Sequence, residues 1–105
     1  MLLYADLRSQ FEREPNDVEA KIGEEFKLQC WPPKGSPKPE IYWLKDGQRV
    51  VTSPDIYVSP VNGDVIAIVR SSTDAGNFTC VATNVAGQKK SHTAQVQISM
   101  PKGTF

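Results

Sequence analysis

CWPPKGSPKPEIYW, Cys30 to Trp43, parts a cysteine from a tryptophan by a segment holding four prolines, Pro32, Pro33, Pro37 and Pro39. Each proline removes a backbone donor and fixes φ near about −65°. The residue before each is driven to extended or polyproline geometry. Such a segment is neither helix nor central strand. Residues 31–39 are therefore expected to form a stiff irregular loop, with Gly35 and Ser36 turning the chain between its two rigid pieces. A stiff loop loses less entropy on binding, so the stretch is a candidate recognition loop as well as a device against edge pairing.

Period-two alternation flanks the loop on both sides. Before it, Glu25–Trp31 sets Phe26, Leu28 and Cys30 on one face and Lys27, Gln29 and Trp31 on the other. After it, Glu40–Lys45 sets Ile41 and Trp43 against Tyr42 and Leu44. Asp46-Gly47 and Asn62-Gly63 are hairpin turn signals. Arg49–Val51 and Ile56–Val58 read as short strands. Val65–Val69 is apolar throughout, so pattern alone does not fix its inward face; we place Ile66 and Ile68 inward. Gly76–Ala82 turns Phe78, Cys80 and Ala82 one way. The last strand sets Ala94, Val96 and Ile98 against Thr93, Gln95 and Gln97. Many short strands at turn spacing make an all-β sandwich or barrel.

The chain has 105 residues, enough for one domain with a modest core. Its formal net charge of +0 argues against general nucleic-acid binding, which needs a basic footprint. No apolar run approaches the ~20 residues of a membrane span, and the opening lacks signal-peptide character. The chain reads as a segment of something longer. Residues 1–10 are expected to be a linker from a preceding domain, 11–99 the folded domain and 100–105 a C-terminal linker.

Cys30, Trp43 and Cys80 stand in the order and spacing of the immunoglobulin fold. Asp74-Ala-Gly-Asn-Phe-Thr-Cys80 resembles the run into that fold's second cysteine, and Asn84-Val-Ala-Gly87 resembles the last hairpin of the intermediate, or I-set, type. The resemblance implies an all-β, immunoglobulin-like I-set sandwich of two antiparallel sheets with one inter-sheet disulfide. It makes Cys30 the end of strand B, Trp43 part of strand C, and the proline run the B–C loop. It pairs Cys30 with Cys80 across a core containing Trp43, Phe78 and Leu28. A bridge closing a loop of about 50 residues contributes roughly 4 kcal/mol on the chain-entropy model and implies an oxidising compartment. One residue departs from the family pattern. Phe78 stands where a tyrosine is usual, keeping the ring but giving up a hydrogen bond of roughly 0.5–1.5 kcal/mol.

A narrower resemblance rests on Ala5-Asp-Leu-Arg-Ser-Gln-Phe11, Cys30-Trp-Pro-Pro-Lys-Gly35, Ile41-Tyr-Trp-Leu-Lys45 and Gln88-Lys-Lys-Ser91. These are similar to the second immunoglobulin domain of uncoordinated-five type netrin receptors. The Cys-x-Pro-Pro-x-Gly loop and the Asp-Ala-Gly stretch also resemble the second domain of Roundabout receptors. The first resemblance, which we favour, implies an extracellular recognition domain of a single-pass plasma-membrane receptor. Its partners would be a netrin-type ligand, heparan sulfate and a neighbouring immunoglobulin domain, with no membrane contact by this segment. The alternatives are a Roundabout-type domain with Slit as ligand, and a structural spacer of an adhesion or muscle-type array.

No enzyme, metal site or cofactor is expected. Two cysteines and the single His92 fall short of a four-ligand zinc site, and an immunoglobulin sandwich fills its middle with side chains. Lys34 and Lys38 in the B–C loop and Lys89 and Lys90 after the F–G hairpin are expected to share one end of the sandwich. There they would form a patch for heparan sulfate or ligand, because seven acids fall in the first 25 residues and none follows Asp74. Trp31, Tyr42 and Leu44, on outward faces, are candidate interface residues. Trp31 is expected to be covered by the N-terminal segment or by a neighbouring domain. Asn77-Phe78-Thr79 is a glycosylation acceptor pattern at Asn77.

Overall fold

In a computed structural model, which describes residues 4–99, the alternating segments become strands. In chain order these are β1 (Asp6–Leu7), β2 (Val18–Lys21), β3 (Glu25–Leu28), β4 (Gly35–Ser36), β5 (Glu40–Lys45), β6 (Gln48–Arg49), β7 (Ile56–Val58), β8 (Val65–Ile68), β9 (Gly76–Asn84) and β10 (Gly87–Ser99). One sheet has the order β2-β10-β9-β5-β6, the facing sheet β3-β8-β7, and β1 pairs with β4 in a short sheet of its own. Pairing is antiparallel except between β2 and β10, which run parallel with Val18 opposite Val96 and Lys21 opposite Ser99. The expected C-terminal linker, 100–105, lies outside the described residues.

The two large sheets close over one core. Phe26, Leu28, Val65, Ala67 and Val69 meet Trp43, Phe78, Cys80, Ala82, Ala94 and Val96. Cys30 and Cys80 are bonded across it, 50 residues apart in sequence. Trp43 is 1% exposed, and its indole donates to the Gly63 carbonyl at 2.6 Å, which satisfies the one donor this ring takes into the core. Gly63 accepts that role from a left-handed turn, φ +79°. A Cβ there would also press on Ile41 at 3.3 Å. Phe26 meets Phe78 edge-on, with centroids 6.0 Å apart. The expected fold class is therefore borne out: an all-β I-set sandwich with an inter-sheet disulfide.

The inward face assigned to strand β8 is corrected. Val65, Ala67 and Val69 are buried, while Ile66 and Ile68 are only half-buried on the outer face. The register decides this. Phe26 stands opposite Ala67 and Leu28 opposite Val65, and directly opposed residues share a face. On the other side Ile56 and Val58 oppose the same two residues. Phe26, Leu28, Ile56 and Val58 thus flank Val65 and Ala67 on the inner face.

The segment expected as an N-terminal linker carries structure of its own. Within residues 4–10, Asp6 and Leu7 pair with Ser36 and Gly35 of the proline loop; Phe11, the first residue of the expected domain, is buried in the core.

Candidate functional site

The end of the sandwich that carries the B–C loop (between β3 and β5) and the F–G hairpin (between β9 and β10) is built around Asn84. Its Nδ2 donates to the Asp6 carbonyl at 2.8 Å and to the Pro37 carbonyl at 2.9 Å, while its Oδ1 accepts from the Ala86 N–H at 2.8 Å. One carboxamide therefore ties the N-terminal segment, the B–C loop and the hairpin turn together. The loop itself adds a Ser36 N–H to Asp6 Oδ1 bond at 3.0 Å and an Arg8 N–H to Lys34 carbonyl bond at 2.8 Å. The Ser36–Pro37 peptide is cis. Gly35 is required by close approach: a Cβ there would stand 3.0 Å from the Asp6 carbonyl and 3.1 Å from Asn84 Nδ2.

The four candidate lysines do not gather on one face. Lys34 is exposed beside Arg8, in a groove that also holds Ser9, Gln10 and Glu12. Lys38 lines a different groove with Trp31, Glu40 and Val61. Lys89 stands opposite Ala82 and Lys90 opposite Val81. Neighbouring strand residues point to opposite sides, so the pair is split across the sheet. Arg8 is the cation that sequence reasoning missed. It reaches the loop only through the β1–β4 pairing, which a two-residue strand does not announce.

Lys90 shares the outer face of the five-stranded sheet with Tyr42 and Leu44. Tyr42 lies opposite Val81, and Leu44 opposite Thr79. The Arg49 guanidinium sits 4.3 Å from the Tyr42 ring centroid, and Gln88 donates to the Tyr42 hydroxyl at 3.3 Å. This arginine holds the tyrosine in place by a cation–π contact. Trp31, on the outer face of the other sheet, is 50% exposed. Arg13 pairs with it through the backbone and sets its guanidinium 5.6 Å from the indole centroid. The N-terminal segment thus supplies part of its cover and leaves the rest open.

A bulge between Lys90 and Thr93 interrupts β10. It turns Ser91 inward, where its hydroxyl accepts from the Cys80 N–H at 3.0 Å. It turns His92 outward onto the N-terminal segment, where Nδ1 lies 2.8 Å from Glu14 Oε2 and Nε2 lies 2.6 Å from the Pro15 carbonyl. The Pro15 carbonyl raises the imidazole pKa above its usual 6.5; partial burial opposes this, and the Glu14 and Asp17 carboxylates add to it. Asn77 is exposed in β9.

Among the described residues no group of three or more His, Cys, Asp or Glu side chains is placed to hold a metal ion. The space between the sheets is filled with packed side chains.

A profile of the family described as "Immunoglobulin I-set domain" matches residues 9–98. The chain belongs to the immunoglobulin I-set family. This I-set domain is 41% identical over 98 residues to Roundabout homolog 4 of Rattus norvegicus, covering 92% of this chain and 10% of that protein. It is 37% identical over 92 residues to Roundabout homolog 2 of Homo sapiens, covering 88% of this chain and 7% of that protein. The domain thus spans about a tenth or less of the length of these relatives. Its structure is similar to the titin M10–obscurin-like 1 Ig complex, with a TM-score of 0.78, 29% identity and coverage of 90% of this chain and 96% of that one. It is also similar to the tandem Ig repeats of Dlar, with a TM-score of 0.79, 22% identity and coverage of 88% and 46%.

These relatives overturn the preference for a netrin receptor, and with it the netrin-type ligand: the similarity is to Roundabout receptors. The domain is extracellular, in keeping with the ectodomain of a single-pass cell-surface receptor and with its disulfide. Among the described residues no helix is long and apolar enough to cross a membrane.

Proposed function

We propose that this I-set domain is a recognition module of a Roundabout-type guidance receptor and binds a Slit-type protein ligand through its loop end. The observation that carries the reading is the three-way tie at Asn84, which converts two loops and the N-terminal segment into one preorganised surface. Similarity to Roundabout proteins over 92% of the chain supports the choice of receptor class. Lys34, Lys38, Lys89 and Lys90 supply the anion-attracting element, now with Arg8 beside Lys34, and sulfated glycosaminoglycan is its ligand class. Their arrangement on several sides of the loop end suits a long flexible polyanion better than a single compact anion. Tyr42 and the open half of Trp31 supply the aromatic contacts for protein.

The test is elution from immobilised heparin together with titration of a Slit-type ligand. The wild-type domain is expected to be retained above physiological salt, despite its net charge of +0. Changing the four lysines to serine is expected to abolish that retention, and Asn84→Ala to weaken ligand binding. Failure of the wild type to bind either probe would sink the reading.

A further inference from the structure

We propose that Asn77 is N-glycosylated and that its glycan lies over the part of the outer sheet face remote from the loops, covering Leu44. The proposal rests on the extracellular reading above. Asn77-Phe78-Thr79 carries the acceptor pattern, with a non-proline residue between asparagine and threonine. The fold decides whether that asparagine can be used. Phe78 is 1% exposed and anchored in the core, so strand alternation sends Asn77 and Thr79 outward. Asp46 engages both backbone groups of Asn77: its Oδ1 accepts from the Asn77 N–H at 3.0 Å, and its N–H donates to the Asn77 carbonyl at 2.8 Å. The exposed side chain is therefore presented from a fixed position.

The ground around it fits a sugar. Gln95 lies directly opposite on β10. The Thr79 and Thr93 hydroxyls meet at 3.1 Å one pleat further on. Leu44 stands opposite Thr79, a diagonal neighbour of Asn77 at about 7–8 Å in such a ladder. It is a half-buried apolar side chain on a wet face; Arg49 stands opposite it on β6 but turns its guanidinium onto the Tyr42 ring. An N-acetylglucosamine ring has an apolar face to set on Leu44 and polar edges for the threonines and Gln95. Asn84 lies seven residues further along β9, about 23 Å away at about 3.3 Å per residue. The glycan would leave the loop end open and close the far half of the sheet face.

The transfer uses a lipid pyrophosphate-linked oligosaccharide. Asn77 Nδ2 attacks the anomeric carbon, a C–N bond forms, and the C–O bond to pyrophosphate breaks. The lipid pyrophosphate leaves with the electron pair, and the amide loses one proton to the transferase base.

The experiment is intact-mass analysis of the chain secreted from cultured animal cells, with and without peptide-N-glycosidase, after alkylation of free thiols. A heterogeneous mass excess is expected, lost on glycosidase treatment with conversion of Asn77 to aspartate. It should be absent in Asn77→Gln and kept in the conservative Thr79→Ser. Hydroxyl-radical labelling of Leu44 is expected to rise when the glycan is removed. A secreted, alkylation-resistant chain at the bare polypeptide mass overturns the proposal while leaving the extracellular reading intact. Two alkylated cysteines remove that reading and the proposal together. Unchanged Leu44 labelling overturns the covering role.

Discussion

The Lys45 ammonium lies 6.0 Å from the Phe78 ring centroid and donates at 2.8 Å to the carbonyl of Thr73, five residues upstream of that phenylalanine. A tyrosine in the family position sends its hydroxyl back to backbone a few residues upstream. Here the lysine of strand β5 supplies a bond to that stretch and Phe78 keeps the burial, so the hydrogen bond given up at Phe78 is replaced from another strand. Gly76 leaves room for this arrangement: a Cβ there would meet Lys45 Cε at 2.9 Å and Asp46 Oδ2 at 2.8 Å. Lys45→Met is expected to cost about 1 kcal/mol in urea unfolding, the size of one hydrogen bond. Phe78→Tyr in that background should recover much of the loss and gain less in the wild type. A coupling near zero in the double-mutant cycle would count against the replacement.

Both ring nitrogens of His92 face acceptors, the Glu14 carboxylate and the Pro15 carbonyl. A neutral imidazole has one N–H and can serve only one of them. The folded-state pKa is raised above the usual 6.5, so the clasp contributes in full below that value and is lost as pH rises through the folded pKa. The urea midpoint of the wild type should fall as pH is raised upward from about 6.5. His92→Gln should flatten that dependence, and Glu14→Gln should reduce it. A wild-type midpoint that rises over this interval would contradict the clasp.

Asn84→Ala removes bonds to Asp6 and Pro37 at once. We expect a loss of about 1–2 kcal/mol, with amide exchange at Leu7 and Arg8 accelerated well beyond that of the core strands. Equal acceleration everywhere would mean that the side chain serves global stability and not the loop end.

Much of this was legible beforehand because strand alternation and the core reinforce one another. The faces of β3, β9 and β10 follow from Leu28, Phe78 and Val96, each large and flanked by polar neighbours, and that of β5 from Trp43, whose neighbours are Tyr42 and Leu44. Strand β8 was not legible, because apolar residues on both sides erase the pattern and only its register against Phe26 and Leu28 fixes the face. The loop end was half legible. Its lysines are visible as charges, but Arg8 joins them through a non-local pairing, and the two adjacent lysines of β10 part company by the geometry of any strand. The receptor class was misjudged for a related reason. Two of the segments that favoured a netrin receptor hold residues the fold itself employs: Lys45 for the Thr73 bond and Ser91 for the bulge.

The parallel pairing of β2 with β10 has a mechanical meaning. The chain enters β2 at Val18 and leaves β10 at Ser99, and Val18 through Lys21 pair with Val96 through Ser99. Tension between the two ends of the domain drags these strands past each other along their length. The rungs between them are then strained together instead of being peeled off singly. Load arriving from the N-terminal side passes first through the two-residue β1–β4 pairing at the loop end, so this contact gives way before the β2–β10 rungs are loaded in shear.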